Sequence, residues 1–272
     1  MNRRQLDVAV ISDVHMGTYG CHAEELLRYL RSIEPKLLIL NGDIIDGWQF
    51  SKRYFPTSHF ALIKEIMNFL YKGVDVVYVT GNHDEVLRKY SDAHLGHLTL
   101  TDKYIFERDG KKIWVFHGDV FDNTTKGSAK VLAKFGGKGY DLLILLNRAI
   151  NYCLQKIGQE KISFSKKVKN GVKSAIKYIN KFEQTIGSLA IENGFHYVIC
   201  GHIHQPCKKQ IITAEGQVTY LNAGDWVENL TALEYMKGQW RIYQYDPSEF
   251  QDQEIEQFSS ASLNIFPEAL YH

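Results

Sequence analysis

The apolar positions of this chain fall into short runs that stop abruptly at polar residues. Val8-Ala9-Val10-Ile11 leads into Asp13 and His15. Leu37-Leu38-Ile39-Leu40 leads into Asn41-Gly42-Asp43, and Val76-Val77-Tyr78-Val79-Thr80 into Gly81-Asn82-His83-Asp84. Ile113-Trp114-Val115-Phe116 leads into His117-Gly118-Asp119, and Tyr197-Val198-Ile199-Cys200 into Gly201-His202-Ile203-His204. Apolar, β-branched runs of this length, bounded by turn residues, read as buried strands. Each strand delivers Asp, Asn or His at its own tip, and the repetition of that plan predicts one convergent site.

Between these runs the period changes. Ala23, Leu26, Leu27, Leu30 and Ile33 recur at helical spacing, which predicts a helix over 23–33 with Pro35 just beyond its end. A second helix is predicted over 59–71. Strands predicted over 6–12, 37–40 and 74–80 alternate with these helices, the pattern of an α/β unit with parallel strands. Arg108-Asp109-Gly110-Lys111, Glu215-Gly216 and Lys237-Gly238 read as hairpin turns. They join 104–107 to 112–116, 208–214 to 217–221, and 231–235 to 239–245. The stretch 47–60 crowds Trp48, Phe50, Tyr54, Phe55 and Phe60 around Lys52 and Arg53. It fits either a loop packed on the core or one wall of a substrate pocket.

Composition narrows the class. A chain of 272 residues, 44% hydrophobic and 12% aromatic, is one large ordered domain with room for an insertion, not a disordered chain. Its net charge of +1 names no partner, but the charge is uneven. Residues 126–181 hold 13 Lys or Arg against Asp141 and Glu160, a net +11, which leaves −10 for the remainder. Lys169, Lys173, Lys177 and Lys181 share one helix face, and Val168, Val172, Ile176, Ile179 and Ile186 another. With the apolar helical stretch 142–157, they predict a helical cap inserted at about 122–190 in a domain spanning 1–245. Residues 246–272 hold six acids and no Lys or Arg, and are expected to form a loosely attached acidic tail. Four cysteines without a CxxC pair point to a reducing compartment. No apolar region follows the first arginines and no long apolar run occurs. The expected location is therefore cytoplasmic, at most peripheral on the inner face of the membrane.

The strand tips carry the chemistry. Asp13 and His15 are two apart, as are His202 and His204, so each pair shares a face of extended chain. Asp43, Asn82 and His117 close the other strands. Such a set is too polar for a core unless it binds metal. Carboxylate and imidazole donors without a cysteine suit Mn²⁺, Fe or Zn²⁺ rather than Ca²⁺ or an iron–sulfur cluster. Seven donors exceed one tetrahedral ion and suit two ions sharing a carboxylate.

Asp13-Val14-His15, Gly42-Asp43, Gly81-Asn82-His83-Asp84, His117-Gly118-Asp119 and Gly201-His202-Ile203-His204 resemble, in order, the five blocks of the calcineurin-like metallophosphoesterases, spanning positions 13 to 204. The resemblance implies an α/β sandwich of two packed sheets flanked by helices. It places one divalent ion, Mn²⁺ foremost, on Asp13, His15, Asp43 and His204. It places a second on Asp43, Asn82, His117 and His202, with Asp43 bridging. A hydroxide held between them would attack phosphorus in line. It also gives His83 a catalytic place above the ions, binding a phosphoryl oxygen or protonating the leaving group, with Asp84 fixing its orientation. Asp46, Asp119 and Asp225 fit either orientation of ligands or turn capping. His22, His59, His94, His97, His196 and His272 stand outside the blocks and are expected to be structural or superficial. Arg53, Asn123 and Lys126 are candidate substrate contacts.

The basic helical insertion after His-Gly-Asp narrows the resemblance to the UDP-2,3-diacylglucosamine pyrophosphatases of lipid A synthesis, in which inserted helices cover the acyl chains. Asp13-Val14-His15-Met16-Gly17 and Gly201-His202-Ile203-His204-Gln205-Pro206 share in that similarity. It implies a nucleotide–lipid substrate, cleaved to UMP and a lipid phosphate at an anionic membrane surface. Those enzymes carry Arg where this chain has His83. A departing phosphate monoester, with a second pKa of about 6, hardly needs an acid, whereas a departing alkoxide does. A soluble phosphodiesterase, nuclease or phosphatase is therefore the alternative. No nucleic-acid-binding motif accompanies the basic segment. A non-enzymatic scaffold is least expected, because every ligand and His83 are present.

Overall fold

The computed structural model describes residues 3–49, 54–121 and 166–250, with side chains from residue 176 onward in the last of these segments. Two sheets face each other. The first contains β1 (Arg4–Ile11), β2 (Ile33–Asn41), β3 (Asp75–Val79), β4 (Ala93–Leu95), β5 (Leu98–Thr101), β11 (Thr231–Met236) and β12 (Gln239–Gln244), in the order β12-β11-β1-β2-β3-β5-β4. The second contains β6 (Lys103–Arg108), β7 (Lys111–Phe116), β8 (Tyr197–Cys200), β9 (Cys207–Ile212) and β10 (Gln217–Asn222), in the order β6-β7-β8-β10-β9. β1, β2 and β3 are parallel, and so are β7 and β8. The three sequence hairpins are the antiparallel pairs β6–β7, β9–β10 and β11–β12.

Strand alternation sorts the core into three layers. Val8, Val10, Leu37, Ile39, Val77 and Val79 point between the sheets and meet Ile113, Val115, Ile199 and Leu221. Their neighbours Ala9, Ile11, Leu38, Leu40 and Val76 point outward, under α1 (Ala23–Ser32) and α2 (Thr57–Tyr71), where Leu26, Leu30, Leu62 and Phe69 cover them. On the far side Phe116, Val198, Cys200 and Tyr220 lie under Phe182, Ile186 and Ala190 of α3 (Lys166–Glu192). Parallel strands buried on both faces need continuous apolar sequence, which is why these runs do not alternate with polar residues. Truncating a fully buried core residue such as Ile39 to Ala should cost about 2–5 kcal/mol.

Three details differ from the sequence expectation. β2 begins at Ile33, so Pro35 lies inside a strand, opposite Leu6. β3 joins only at Leu37. At Pro35, β2 therefore has a neighbour on one side only, where a residue without N–H is tolerated. α3 runs to Glu192 and packs on the second sheet, so this part of the expected cap is a layer of the sandwich. The segment 122–165 lies outside the described residues. Finally, Pro247–Phe250 forms a 3-10 turn with Phe250 buried and stacked on Tyr245 at 5.1 Å, so the first residues of the acidic tail join the core. Residues 251–272 lie outside the described residues.

Candidate metal centre and active site

All five ligand-bearing strands end at the same edge of the sandwich, because parallel strands bring their carboxyl ends together. Beyond that edge the backbone coils sharply. Asp13, His15, Asp43, His202 and His204 all have φ between 50° and 66°. Non-glycine residues rarely enter this left-handed region, and Asp and His are among those that tolerate it best. The coil is stitched by main-chain bonds: Asp13 N–H donates to Gly42 O at 3.1 Å, and the N–H groups of Val14 and His15 donate to Asp43 O at 3.0 and 2.9 Å. Gly201 N–H donates to His117 O at 2.9 Å, joining the tips of β7 and β8. Two glycines make room for the side chains. A Cβ on Gly42, whose φ is +79°, would run into the His117 ring, and one on Gly81 would run into the Asp43 carboxylate.

The side chains converge as three overlapping groups able to hold a cation: Asp13, His15 and His204; His15, Asp43 and His83; Asp43, His117 and His202. His204 Nε2 lies 3.1 Å from Asp13 Oδ1, and His117 Nε2 lies 3.1 Å from Asp43 Oδ2. Burial alone would push both imidazoles toward neutrality. The facing carboxylates overcome it, raising His117 to about 10 and His204 to about 9. The same pairing holds Asp13 and Asp43 well below the usual carboxylate range despite their burial.

The donor set fits divalent ions. Buried side-chain atoms without a hydrogen-bond partner include His15 Nε2 and Asn82 Oδ1. A bare buried polar atom costs about 1–3 kcal/mol, unless a cation takes its lone pair. The other ring nitrogens are already committed. His117 Nδ1 donates to Asn41 O at 2.9 Å, and His15 Nδ1 lies 3.0 Å from Asp46 Oδ2, which turns each Nε2 toward the cluster. Asp13 is braced by Ser12 Oγ and by the His202 N–H at 3.0 Å.

His83 sits over this cluster, its Nε2 4.0 Å from Asp43 Oδ2. Its Nδ1 lies 2.9 Å from Asp46 Oδ2. Asp46, rather than the Asp84 expected from the sequence, is thus the carboxylate that faces the His83 ring. Asp84 accepts from Gly81 N–H at 2.5 Å, Ile44 N–H at 3.0 Å and Tyr78 OH at 2.6 Å, so it ties two loops together. Asp46 serves both alternatives left open for it. One oxygen meets the His15 and His83 rings, and the other caps the turn by accepting from Trp48 N–H at 3.0 Å and Gln49 N–H at 2.7 Å. Burial would lower the His83 pKa, but Asp46 and Asp43 raise it on balance.

Asp225 is mainly a turn cap, accepting from Val227, Glu228 and Asn229 N–H, with His204 Nδ1 3.8 Å away. Asp119 pairs with Arg88 at 2.7 Å. A cavity of about 380 Å³ opens beside His117, with Arg88, Lys103, Trp114 and Asp119 among its walls. Trp48 is 60% exposed and packs on the His83 ring at 4.6 Å, so the aromatic stretch does reach the site. Arg53, Asn123 and Lys126 lie outside the described residues. Sequence reasoning missed the Asp46–His83 pairing. Its signal was the three-residue spacing from Asp43, one tight turn that returns a second carboxylate to the same point. The braces from Ser12 and Asn41 left no signal, since such residues abound at strand ends.

Fold and site together define a phosphoester hydrolase of the two-sheet, His- and Asp-rich kind. The chain belongs to the calcineurin-like phosphoesterase family, whose model matches residues 6–206. Its relatives include UDP-2,3-diacylglucosamine hydrolase of Aliivibrio fischeri (strain MJ11), 24% identical over 254 residues, covering 90% of this chain and 100% of the relative. The enzyme of that name from Aeromonas salmonicida (strain A449) is 23% identical over 241 residues, covering 86% and 91%. Among solved structures, the E. coli phosphoesterase Yfce superposes with a TM-score of 0.42 at 12% identity, covering 88% of this chain and 99% of that one. A novel archaeal phosphodiesterase gives 0.41 at 12% identity, covering 87% and 98%.

Proposed function

We propose that the protein is a dimetal pyrophosphatase acting on a UDP-2,3-diacylglucosamine-type nucleotide–lipid at the membrane surface and releasing UMP and a lipid phosphate. The observation that supports the reaction class is the chain of overlapping cation-binding groups, in which His15 joins the first to the second and Asp43 the second to the third, with His83 reaching into the middle one. The substrate reading is supported by the names and near-complete coverage of the relatives. Asp13, His15, Asp43 and His204 would hold one ion, and Asp43, Asn82, His117 and His202 the other. Two divalent ions bound there, Mn²⁺ foremost, supply an activated water and a clamp on the phosphoryl oxygens. Asp46 holds the His83 ring so that Nε2 faces the reacting group. His83 donates a proton or hydrogen bond there.

That His–Asp pair supports a second reading, an ordinary phosphodiester or monoester hydrolase, because an oriented acid serves an alkoxide leaving group best. One comparison separates the two. The Mn²⁺-loaded protein is assayed for UMP release from UDP-2,3-diacylglucosamine and for cleavage of bis(p-nitrophenyl) phosphate, as wild type and as His83→Arg. The pyrophosphatase reading expects UMP release that survives His83→Arg better than diester cleavage does. Diester cleavage without UMP release would overturn it.

A further inference from the structure

The outer face of α2 is not accounted for by the sandwich. Leu62 and Phe69 bury one side of this helix. On the opposite side Phe60, Met67 and Tyr71 are 61%, 56% and 92% exposed. They form one stripe along the helix, with Lys64 between them and Lys72 at its foot. An exposed apolar stripe marks an interaction surface. Glu65, the one acid of α2, is buried and meets Arg3 and Arg31 at 3.8 and 3.9 Å. Asp75, just past the helix, is held by His97 at 2.8 Å. Among the described residues the stripe itself thus carries Lys64 and no acid, and Asp75, 69% exposed beside His97, lies beyond its foot.

We propose that this face of α2 lies on an anionic lipid surface. At 15 residues the helix is too short to cross a bilayer, which takes about 20 residues, but it suits the interfacial plane, with lysines at phosphate level and aromatic rings below. Charge argues against a second copy as occupant: antiparallel pairing about the middle of the stripe would bring the Lys64 side chains together with no acid to receive them. The placement is apt for a lipid-linked substrate. α2 starts at the catalytic edge, where Phe60 packs on Phe55 at 4.8 Å. The turns after Asp43 and His15 add Trp48, 60% exposed, and Tyr19, 64% exposed. The inference deepens the nucleotide–lipid reading and rests on it for its purpose.

Sedimentation of the full chain with vesicles of phosphatidylcholine, with and without phosphatidylglycerol, tests it. Wild type is expected to partition onto the anionic vesicles more strongly than onto the neutral ones. Phe60→Ser/Met67→Ser/Tyr71→Ser should partition at least about tenfold more weakly, and Lys64→Glu about fivefold more weakly, each with an unchanged melting temperature. Equal partitioning of Lys64→Glu and wild type would overturn the proposal. So would a wild-type dimer that the triple substitution converts to a monomer without changing vesicle binding. Failure to release UMP from the lipid nucleotide would sink the substrate reading and leave the vesicle result standing.

Discussion

Asp46→Asn isolates the carboxylate on which two imidazoles depend. Asp46 Oδ2 lies 3.0 Å from His15 Nδ1 and 2.9 Å from His83 Nδ1, while Oδ1 holds the Trp48 and Gln49 N–H groups. The amide oxygen of Asn can keep the turn. Its NH₂ then faces two ring N–H groups. Either those contacts are lost, at about 1.5–3 kcal/mol for the charge-assisted bond to His15, or the protons move to Nε2, where His15 can no longer ligate. Partner loss of this kind lowers metal affinity about 10–100-fold, and a misoriented acid costs about 10²–10⁴ in rate. Calorimetric Mn²⁺ titration and kcat on bis(p-nitrophenyl) phosphate should both fall. The pH profile carries a sign. Asp46 helps raise the His83 pKa, so its removal lowers it. An acid loses its proton as pH rises through its pKa, so the alkaline fall in kcat should move to lower pH. Asp84→Asn is the control: it loosens the bonds to Gly81, Ile44 and Tyr78 and costs stability, without moving that limb. Metal affinity and kcat within about twofold of wild type in Asp46→Asn, or a limb moved by Asp84→Asn instead, would refute this role for Asp46.

Three further outcomes are expected. His83→Ala keeps both metals by elemental analysis but loses about 10²–10⁴ in kcat, whereas Asn82→Ala lowers occupancy of one ion; equal metal loss in both would reverse their roles. Gly42→Ala drives a Cβ into the His117 ring at a backbone φ of +79°, so a loss above about 1 kcal/mol in denaturant unfolding and a weakened ion should appear together. Metal-stripped protein has a defined pH window. His117 and His204 are raised to about 10 and about 9, so the stability they contribute is complete below about 6.5 and disappears as pH rises through those values. Asp13 and Asp43 are depressed, so their contribution holds above about 4 and is lost in acid. Melting temperature against pH should therefore peak between these limits without metal, and chelator-free protein should gain most over it on the alkaline side.

The residue pattern exposed different parts of the structure unequally. The five ligand strands were readable because burial on both faces demands continuous apolar sequence and because each stops at a turn. β4 and β5, with three and four residues and polar His94, Thr99 and Thr101 among them, carry too few periods for any pattern to register. Pro35 suggested a boundary, because whether a strand has one neighbour or two is a property of the sheet and not of the local sequence. The converging residues were visible as types. Which carboxylate reaches which ring was not, since Asp46 and Asp84 both follow strand tips closely and only the coil of the backbone separates them.

The convergence of these side chains depends on strand register and on a handful of left-handed residues, on both sides of the long connection between β7 and β8. A residue added within a connection would lengthen the path between two tips without changing the register of either strand. Slippage by one residue within a strand would instead swap its core faces and displace its tip by about 3.3 Å. Register is thereby the property that holds the tips in place, while the connecting segments are the part of the chain whose length it leaves open.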